Sequence, residues 1–404
     1  MKILQLCKKF PYPLKDGESI AITSLSRSFA SLRAEVSLLA MNTSKHYFKK
    51  KNHFPSVLDH YKAIHTVDVD NRIKPAEAFK NLFSSESYHI QRFISKAFED
   101  RLKQILATQT FDVIQLETLY LAPYIPIIRA HSDAIIAMRA HNVEHEIWER
   151  ITKNTKFFPK HWYLKHLTKK LAKYEKTALN KYDILVAITK RDLETYRKMG
   201  FTKSGVVVPI GLDSTDYEPD FGSYQQPLSI SFIGSLDWMP NQEGLVWFLE
   251  QVWGRLRTKF PKLELHIAGR NTPSWMYKIK KSGVKVHGEV PVAADFINQH
   301  SIMVVPLLSG SGMRAKILEG MALGRVVLTT SLGLEGIQAQ HQQEVLIANT
   351  VADFVQQIDF CYQQNGTLEK IGRQAQDRIH DTYDSHYIAQ RLLNTYDSFT
   401  VGAL

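Results

Sequence analysis

The most constraining feature of this sequence lies between residues 302 and 330. It consists of an apolar run, a glycine-rich turn, a predicted helix and a second apolar run. Residues 302–308 predict a buried strand, and residues 309–324 predict a turn and then a helix that ends at Gly324. Residues 325–330 predict the next strand. In such a unit the turn and the helix N-terminus direct backbone N–H groups and a positive dipole toward an anion. The sequence therefore predicts a βαβ unit with a phosphate site at the turn.

Three charged residues follow this turn. Arg314 and Lys316 fall in the predicted first turn of the helix, where a cation is unfavourable beside the helix dipole. A bound anion would remove that conflict. Glu319 lies one to two turns further on, where a carboxylate can accept hydrogen bonds from sugar hydroxyls. An ordinary βαβ unit with surface charges is the alternative, but the combination favours a nucleotide-phosphate site.

The whole chain alternates between predicted strands and predicted helices. In the first half, strands are predicted at 2–6, 35–41, 113–116, 134–139, 184–188 and 206–208, with helices near 19–32, 90–107, 119–130, 144–151, 160–180 and 190–199. In the second half, strands are predicted at 230–233, 263–268, 284–287, 302–307, 326–329 and 345–347, with helices between them such as 242–259. This alternation predicts an α/β fold of two doubly wound parallel sheets, each with a ligand crevice at the carboxyl ends of its strands.

The length of 404 residues exceeds the usual size of one domain. We predict an N-terminal domain over residues 1–212, a polar, turn-rich hinge over 213–227 and a C-terminal domain over 228–366. Residues 367–404 predict terminal helices that pack back toward the N-terminal domain.

The two cysteines, Cys7 and Cys361, suit a reducing compartment and cannot form a disulfide framework. Charges at Lys2, Lys8 and Lys9 come too early for a secretory signal. No apolar run approaches the roughly 18–20 residues that span a bilayer. We therefore expect a cytoplasmic protein whose contact with the inner membrane face, if any, is peripheral.

The excess positive charge lies in the first half. Residues 1–218 carry 35 Lys and Arg against 23 Asp and Glu, whereas residues 219–404 carry 16 against 17. This asymmetry is typical of proteins that bind nucleic acid or an anionic membrane. No nucleic-acid reader motif accompanies it, so we expect no nucleic-acid partner.

Lysines and aromatic residues are interleaved in two basic segments. The first comprises Lys153, Lys156, Lys160, Lys165, Lys169, Lys170, Lys173 and Lys176 with Phe157, Phe158, Trp162, Tyr163, Leu164 and Leu167. The second comprises Lys45, Lys49, Lys50 and Lys51 with Tyr47 and Phe48. Such segments are typical of helices that dock on anionic lipid, although a solvated helix with an apolar core face is the alternative.

With these patterns, the chain resembles the GT-B glycosyltransferases and, among them, the retaining enzymes of glycosyltransferase family 4 (group 1). The segments that carry the resemblance are Phe232–Asn241, Ala268–Arg270, His287–Val290 and Ser309–Gly324, with weaker signals at Pro13–Gly17, Arg139–Glu144 and Val208–Asp213. The resemblance implies two Rossmann-like domains with a cleft between them. It also implies that the N-terminal domain binds the acceptor and that the C-terminal domain binds a nucleotide sugar.

The resemblance implies roles for individual residues of the second half. Arg314, Lys316, the helix N-terminus and the N–H groups of the glycine-rich turn would stabilise the departing diphosphate. Glu319 would bind the ribose hydroxyls. The remaining donor-site residues are Gly234, Ser235, Asn241, Arg270, Glu289, Val290, Ser309, Gly310, Ser311, Gly312 and Met313.

In the first half, the resemblance makes His141 a catalytic residue that approaches the transferred sugar. Gly17 would allow the first loop to approach the diphosphate or the acceptor closely. Glu144 is expected either to fix His141 or to cap the following helix. The sequence offers no convincing second carboxylate beside His141 for a double displacement. Consistent with this, the resemblance implies front-face attack in which the leaving phosphate takes the acceptor proton.

The chain departs from the family pattern in two places. Many members carry two glutamates eight residues apart, but here Ser311 occupies the first position and Glu319 the second. Many also carry an Arg and a Lys in the loop after the first C-terminal strand, which has neither here. We interpret Arg314 and Lys316 as the replacement cations.

The prediction is thus a retaining, hexosyltransferase-type enzyme that moves a sugar from a nucleotide-diphosphate sugar to a glycan or lipid-linked acceptor in cell-envelope or exopolysaccharide biosynthesis. We expect no cofactor and no metal, and we interpret the Asp68-Val69-Asp70 triplet as chance. A nucleotide-sugar epimerase of the same fold is one alternative. A non-catalytic protein that binds nucleotide sugars or glycans is the other, and Ser311 is the residue that motivates it.

Overall fold

The computed structural model describes residues 1–49, 53–310 and 312–401. Its contacts divide the chain into two compact units. The first unit contains Met1–Leu14, Glu18–Pro209 and the C-terminal segment from Ser385, and the second contains Lys15–Gly17 and Ile210–Asp384.

The first unit is built on a seven-stranded parallel sheet. Its strands are β1 (Lys2–Cys7), β2 (Glu35–Thr43), β3 (Ala63–Val69), β4 (Val113–Leu116), β5 (Ile135–Ala140), β6 (Ile184–Ala187) and β7 (Ser204–Val207). The strand order is β3-β2-β1-β4-β5-β6-β7. Leu6 pairs with Leu116, and Leu116 pairs with Met138, so β1, β4 and β5 end at the same edge. These three central strands are almost fully buried, which suits a sheet that is covered on both faces.

The helices of this unit connect consecutive strands. They are α1 (Gly17–Ser31), α2 (Pro75–Asn81), α3 (Tyr88–Gln91), α4 (Lys96–Thr108), α5 (Ile125–His131), α6 (Glu144–Asn154), α7 (Phe158–Ala178) and α8 (Lys190–Met199). Ser95 caps α4 and Thr189 caps α8 by accepting a hydrogen bond from the N–H three residues on.

The second unit is built on a six-stranded parallel sheet. Its strands are β8 (Ser229–Ile233), β9 (Glu264–Ala268), β10 (Val284–Gly288), β11 (Ile302–Val305), β12 (Val326–Thr329) and β13 (Val345–Ile347). The strand order is β10-β9-β8-β11-β12-β13. All six strands predicted for the second half are present.

The helices of the second unit are α9 (Met239–Trp247), α10 (Trp253–Lys259), α11 (Ala293–Asn298), α12 (Ala315–Ala322), α13 (Val351–Gln363) and α14 (Asn365–Tyr383), and α15 (Ser385–Val401) follows in the first unit. A π-helical turn, Phe248–Val252, joins α9 to α10, so the single helix predicted over 242–259 is interrupted. Short 3-10 turns occupy Ser214–Asp216 and Phe221–Gln225 within the segment predicted as a hinge.

Three further local predictions were wrong. Strand β3 was missed because it is a partly exposed edge strand with polar residues, without a continuous apolar run. The helix predicted over 119–130 is a 3-10 turn at Leu119–Tyr124 followed by α5, because Pro123 and Pro126 interrupt it. Helix α12 begins at Ala315, so Arg314 is its N-cap residue and does not lie in its first turn.

A glycine allows α9 to approach the end of β11. A Cβ atom on Gly244 would lie 2.1 Å from the carbonyl oxygen of Pro306, which is far inside van der Waals contact. Only glycine therefore fits at this point of α9. This approach sets the distance between the loop after β8 and the loop after β11.

No helix among residues 1–49, 53–310 and 312–401 is both long and apolar enough to cross a membrane. Helix α7 instead has two different faces. Leu164, Leu167 and Leu171 are buried in the first unit, whereas Phe158 and Trp162 are 78% and 55% exposed.

Candidate active site

The second sheet has its topological switch point between β8 and β11. The chain leaves β8 toward β9 on one side, and β11 continues toward β12 on the other. Loops that diverge in this way open a crevice at the carboxyl ends of the two strands, where ligands of open α/β sheets bind. The predicted donor residues at 234–241, 309–310 and 312–314 lie at this edge.

The glycine-rich turn has a backbone that requires glycine. Gly310 has φ 109° and Gly312 has φ 77°, in the region that side chains disfavour. The hydroxyl of Ser309 donates to Glu243 on α9 at 2.5 Å, and Met313 is buried. Ser311 lies outside the described residues. The turn leads directly into α12, whose first N–H groups have no partner within the helix.

The side chain of Arg314 folds back over this turn. Its Nη1 donates to the carbonyl oxygen of Gly312, and its Nη2 would lie 3.1 Å from a Cβ atom on Gly310. The guanidinium group therefore lies against the backbone from which α12 begins. This places one cation beside the positive end of the helix dipole, as an anion site requires.

The side chain of Lys316 extends to the loop after β8. Its ammonium group donates to Asn241 Oδ1 at 2.8 Å and to the carbonyl oxygen of Ile233 at 3.4 Å. It lies 4.9 Å from the ring centroid of Phe232, and its Nζ would be 3.0 Å from a Cβ atom on Gly234. The β8 loop, which carries no cation of its own, therefore receives one from α12.

Burial and, to a smaller extent, the nearby charge of Arg314 lower the pKa of the Lys316 ammonium to about 7, while the charge of Glu319 opposes them. Glu319 follows Lys316 by three residues, so both side chains lie on one face of α12. Burial also raises the pKa of Glu319 above its usual value. One oxygen of this carboxylate accepts a hydrogen bond from the Tyr217 hydroxyl at 3.3 Å.

The loop after β8 is held by its own hydrogen bonds. Ser235 Oγ donates to Asp237 at 2.6 Å, and Asn241 Nδ2 donates to the carbonyl oxygen of Ser235 at 2.8 Å. Arg270, which follows β9, approaches Ser235 Oγ with its Nη2 at 3.5 Å. Trp238 is 45% exposed at the start of α9, so its indole face is available to a ligand.

The loop after β10 carries the residues predicted at the nucleobase. Gly288 has φ 75°, and the hydroxyl of Tyr277 occupies the space that a Cβ atom there would need. Glu289 is exposed and Val290 is partly buried.

His141 lies in the first unit, directly after β5. It is 9% exposed, and its Nε2 lies 3.0 Å from Oε2 of Glu117, which directly follows β4. Burial lowers the pKa of the His141 ring, and hydrogen bonding to Glu117 opposes this. The neutral ring is therefore the main form at neutral pH.

The sequence offered no convincing carboxylate beside His141 for a double displacement, and the structure places Glu117 there. Glu117 has no exposed surface and also accepts a hydrogen bond from Arg139 at 3.3 Å, so it cannot reach a sugar as a nucleophile. A charged residue directly after a buried strand, on the strand next to that of His141, was the signal in the sequence. Glu144 bonds elsewhere: it accepts from the Tyr120 hydroxyl at 3.0 Å, and burial raises the pKa of its carboxyl group to about 7.

Gly17 is the first residue of α1 and is grouped with the second unit by its contacts. The predicted catalytic residues belong to both units. His141 lies in the first unit, whereas Arg314, Lys316 and Glu319 lie in the second.

The described parts of the chain contain no group of three His, Cys, Asp or Glu side chains that could hold a metal ion. In the Asp-x-Asp triplet, Asp68 accepts from Asn42 at 2.8 Å, and Asp70 accepts from Arg72 at 2.8 Å. Both carboxylates are therefore engaged by side chains.

The second unit matches a known family. Residues 227–364 match the family described as "Glycosyl transferases group 1". The matched residues make up most of the second unit. The strand-turn-helix at Arg314, Lys316 and Glu319 lies within the matched residues, and the prediction of a glycosyltransferase is confirmed.

Solved structures share the fold over the full length. Sucrose-phosphate synthase from Thermosynechococcus elongatus is similar with a TM-score of 0.73 at 14% identity, covering 100% of both chains. HepE of Anabaena in complex with UDP-glucose is similar with a TM-score of 0.69 at 14% identity, covering 98% of this chain and 100% of that one. TarM of S. aureus, in complex with fondaparinux, alpha-GlcNAc-glycerol and UDP, gives a TM-score of 0.69 at 12% identity over 98% and 99%. The predicted GT-B fold is confirmed.

A relative is similar in sequence. Over 310 residues the chain is 24% identical to an uncharacterized 44.6 kDa protein in the cps region of Klebsiella pneumoniae. The alignment covers 70% of this chain and 74% of the relative.

Proposed function

We propose that this protein is a retaining glycosyltransferase that moves a sugar from a nucleotide-diphosphate sugar to a glycan or lipid-linked acceptor. The observation that carries the proposal is the arrangement at the switch point of the second sheet. Two cations, Arg314 and Lys316, and one carboxylate, Glu319, project from a single helix start beside a glycine-rich turn. This set matches the charges of a nucleoside diphosphate and the hydroxyls of its ribose.

The cations would act mainly on the leaving group. As the bond between sugar and diphosphate breaks, negative charge grows on the diphosphate, and preorganised cations and N–H dipoles stabilise that charge. Arg314 lies on the turn and Lys316 bridges to Asn241 in the opposite loop. A diphosphate in this position would be contacted from two sides without a metal ion.

His141 would act in the first unit. A neutral imidazole can exchange hydrogen bonds with a sugar or acceptor hydroxyl without bringing a charge near the oxocarbenium-like centre. Glu117 is buried behind it and does not offer a nucleophile. These features support front-face attack with retention, in which the leaving phosphate accepts the acceptor proton.

For the acceptor, we infer a role in the synthesis of an envelope or extracellular polysaccharide. The Klebsiella pneumoniae relative is described as lying in a cps region. Solved structures of the same fold hold UDP-glucose or UDP with a glycan. These descriptions support UDP-glucose as the first donor to test.

The decisive test is turnover of nucleotide sugars by the purified protein. We expect slow release of nucleoside diphosphate without acceptor, accelerated by lipid-linked sugars, with an α-linked product from an α-linked donor by ¹H NMR. The Glu319→Ala variant should lose this activity, whereas Lys262→Met, an exposed lysine before β9, should not. Inversion of the product would refute retention. Interconversion of nucleotide sugars without transfer would favour the epimerase, and binding without turnover would favour the non-catalytic alternative.

We further propose that α7 docks the protein on an anionic membrane surface. Three aromatic side chains at its N-terminal end, Phe157, Phe158 and Trp162, are 67%, 78% and 55% exposed. Exposed lysines surround them: Lys153, Lys156, Lys160 and Lys165. These seven residues form the aromatic–lysine patch. Lys50 and Lys51 of the second basic segment lie outside the described residues.

The composition of this patch explains why lipid is the favoured partner. Aromatic side chains insert at the headgroup level, and each lysine near an anionic surface adds about 1 kcal/mol. Lys170 does not contribute, because its ammonium group is bonded to Asn81. The alternative interpretation was a solvated helix whose apolar side faces the core. That interpretation explains the buried leucines of α7 but not its exposed aromatic rings.

Flotation with phosphatidylcholine vesicles, with and without phosphatidylglycerol, tests the patch. Wild type should float only with the anionic lipid and at low salt. The double variant Phe158→Ser and Trp162→Ser should bind at least tenfold more weakly, whereas Tyr387→Ser, an equally exposed aromatic on α15, should bind normally. Wild-type protein that stays in solution at low salt would refute the proposal.

A further inference from the structure

A network of buried polar side chains lies behind His141 in the first unit. At its centre is Glu117, which has no exposed surface. Its Oε1 accepts hydrogen bonds from Gln5 Nε2 and Gln115 Nε2, both at 2.5 Å. Its Oε2 accepts from Arg139 Nη1 at 3.3 Å and lies 3.0 Å from His141 Nε2. Four nitrogens thus surround one carboxylate.

An outer row of hydroxyls fixes the orientation of the two amides. Tyr61 donates to Oε1 of Gln5 at 2.7 Å, and Tyr396 donates to Oε1 of Gln115 at 2.7 Å. Because the amide oxygens are engaged as acceptors, their NH2 groups face Glu117. Tyr396 belongs to α15, so the last helix of the chain takes part in this network.

We propose that Glu117 is a positioning residue for His141: it fixes a proton on Nε2 of the ring and leaves Nδ1 as the acceptor nitrogen. Three of the four nitrogens around the carboxylate are donors in any tautomer, so Glu117 carries no proton of its own. An ionised carboxylate can only accept, and His141 Nε2 must therefore donate. The ionised Glu117 at the end of β4 thus determines the tautomer of His141 at the end of β5.

The charge of Glu117 agrees with this arrangement. Burial raises the pKa of a carboxyl group, but the positive charge of Arg139 and the hydrogen bond from His141 lower that of Glu117 to about 2. The guanidinium group of Arg139 also donates to the carbonyl oxygen of Ala21 on α1 at 3.2 Å. The ion pair is therefore tied to two strands and a helix.

The consequence for catalysis rests on the proposed function. In this tautomer, Nδ1 is the ring nitrogen able to accept a hydrogen bond from a sugar or acceptor hydroxyl that reaches the carboxyl end of β5. The other tautomer would offer an N–H group there instead. Glu117 would thus act on kcat through His141, without touching the donor that Glu319 binds.

The first experiment measures the tautomer itself in the intact protein labelled with ¹⁵N-histidine. Long-range ¹H–¹⁵N correlation spectra at pH 7.5, assigned with a His141→Gln variant, should show His141 protonated on Nε2 and unprotonated on Nδ1. A ring protonated on Nδ1 would overturn the proposal. This result needs neither donor nor acceptor, so it stands even if no nucleotide sugar is turned over and the proposed function fails.

The second experiment compares two buried carboxylates that each contact a histidine. Glu175 also has no exposed surface, and it accepts from His145 Nδ1 at 2.6 Å and from the Tyr196 hydroxyl at 2.8 Å. In both Glu117→Gln and Glu175→Gln the new NH2 group would face donors, so both variants suffer a similar general disturbance.

We expect Glu117→Gln to lower kcat tenfold or more, to change the ¹⁵N pattern of His141 and to leave the KM for donor unchanged. Glu175→Gln should change none of these. An equal loss of kcat in both variants, or an unchanged His141 spectrum in Glu117→Gln, would overturn the positioning role. If Glu117→Gln does not fold, the wild-type tautomer and the shorter Glu117→Asp variant decide the question.

Discussion

The buried ammonium group of Lys316 predicts that nucleotide binding takes up a proton. In the free protein its pKa is lowered to about 7 by burial and by Arg314. A bound diphosphate would supply two or more negative charges and raise that pKa again. The protonated form binds better, so the affinity should be highest below pH 7 and should fall as the pH rises through the free pKa.

The size of the effect follows from that pKa. At pH 8, a group with a pKa of about 7 is about 90% deprotonated, so binding should take up about 0.9 proton. Above pH 8 the affinity should fall about tenfold per pH unit, which is about 1.4 kcal/mol. The second ionisation of the nucleotide phosphate lies near 6 and is complete at pH 8.

Isothermal titration calorimetry at pH 8 in Tris and in HEPES measures this uptake, because the two buffers release protons with different heats. The ligand is whichever of UDP, GDP, ADP and dTDP binds best. Lys316→Met should abolish the difference between buffers, whereas the Lys262→Met control should keep it. Buffer-independent heats for wild type at pH 8 would refute the reasoning about Lys316.

Two further predictions concern the stability of the second unit. Gly244→Ala should lower the free energy of unfolding by about 2 kcal/mol or more, because its Cβ atom would collide with Pro306. Gly254→Ala places its Cβ atom in open space, so this variant should be neutral or stabilising. Chemical denaturation of both variants measures the difference. His300 is buried beside His266, and burial, followed by the charge of His266, lowers the pKa of His300 to about 3. The stability that the neutral His300 ring contributes is therefore complete above its unfolded pKa of about 6.5 and is lost as the pH falls toward 3. Between pH 7.5 and pH 5 wild type should lose about 2 kcal/mol more than His300→Phe, and equal losses would contradict this account.

Much of the second sheet could be predicted because strands such as β11, β12 and β13 are short apolar runs. Buried parallel strands produce that pattern directly. Strand β3 produces no such pattern, because its side chains are partly exposed and include His65, Thr66 and Asp68. An edge strand is determined by its neighbour, β2, and a single segment of sequence does not contain that information.

The proximity of the candidate site residues was predictable where a motif is local. Arg314, Lys316 and Glu319 lie within six residues of one another, so one helix start brings them together. The partners of these residues were not predictable in the same way. Asn241 is 75 residues from Lys316 and Tyr217 is 102 from Glu319, and only the topology of the sheet brings them into contact.

Glu117 illustrates the same limit in the first unit. It lies 24 residues before His141, and their contact depends on β4 and β5 being neighbours that end at one edge. Its other partners come from β1 and, through Gln115, from α15 at the end of the chain. Spacing along the sequence cannot reveal a network that five separated segments assemble.

The most direct test of the donor site is a thermal-shift measurement with UDP, GDP, ADP and dTDP on wild type, Glu319→Ala and Arg314→Ala. At about 100 times its dissociation constant, a ligand should stabilise the protein by about 2.7 kcal/mol. We predict stabilisation by one of these nucleotides, lost in both variants, which would identify the donor class. The absence of a shift with all four nucleotides, or equal shifts in wild type and both variants, would contradict the assignment of the site.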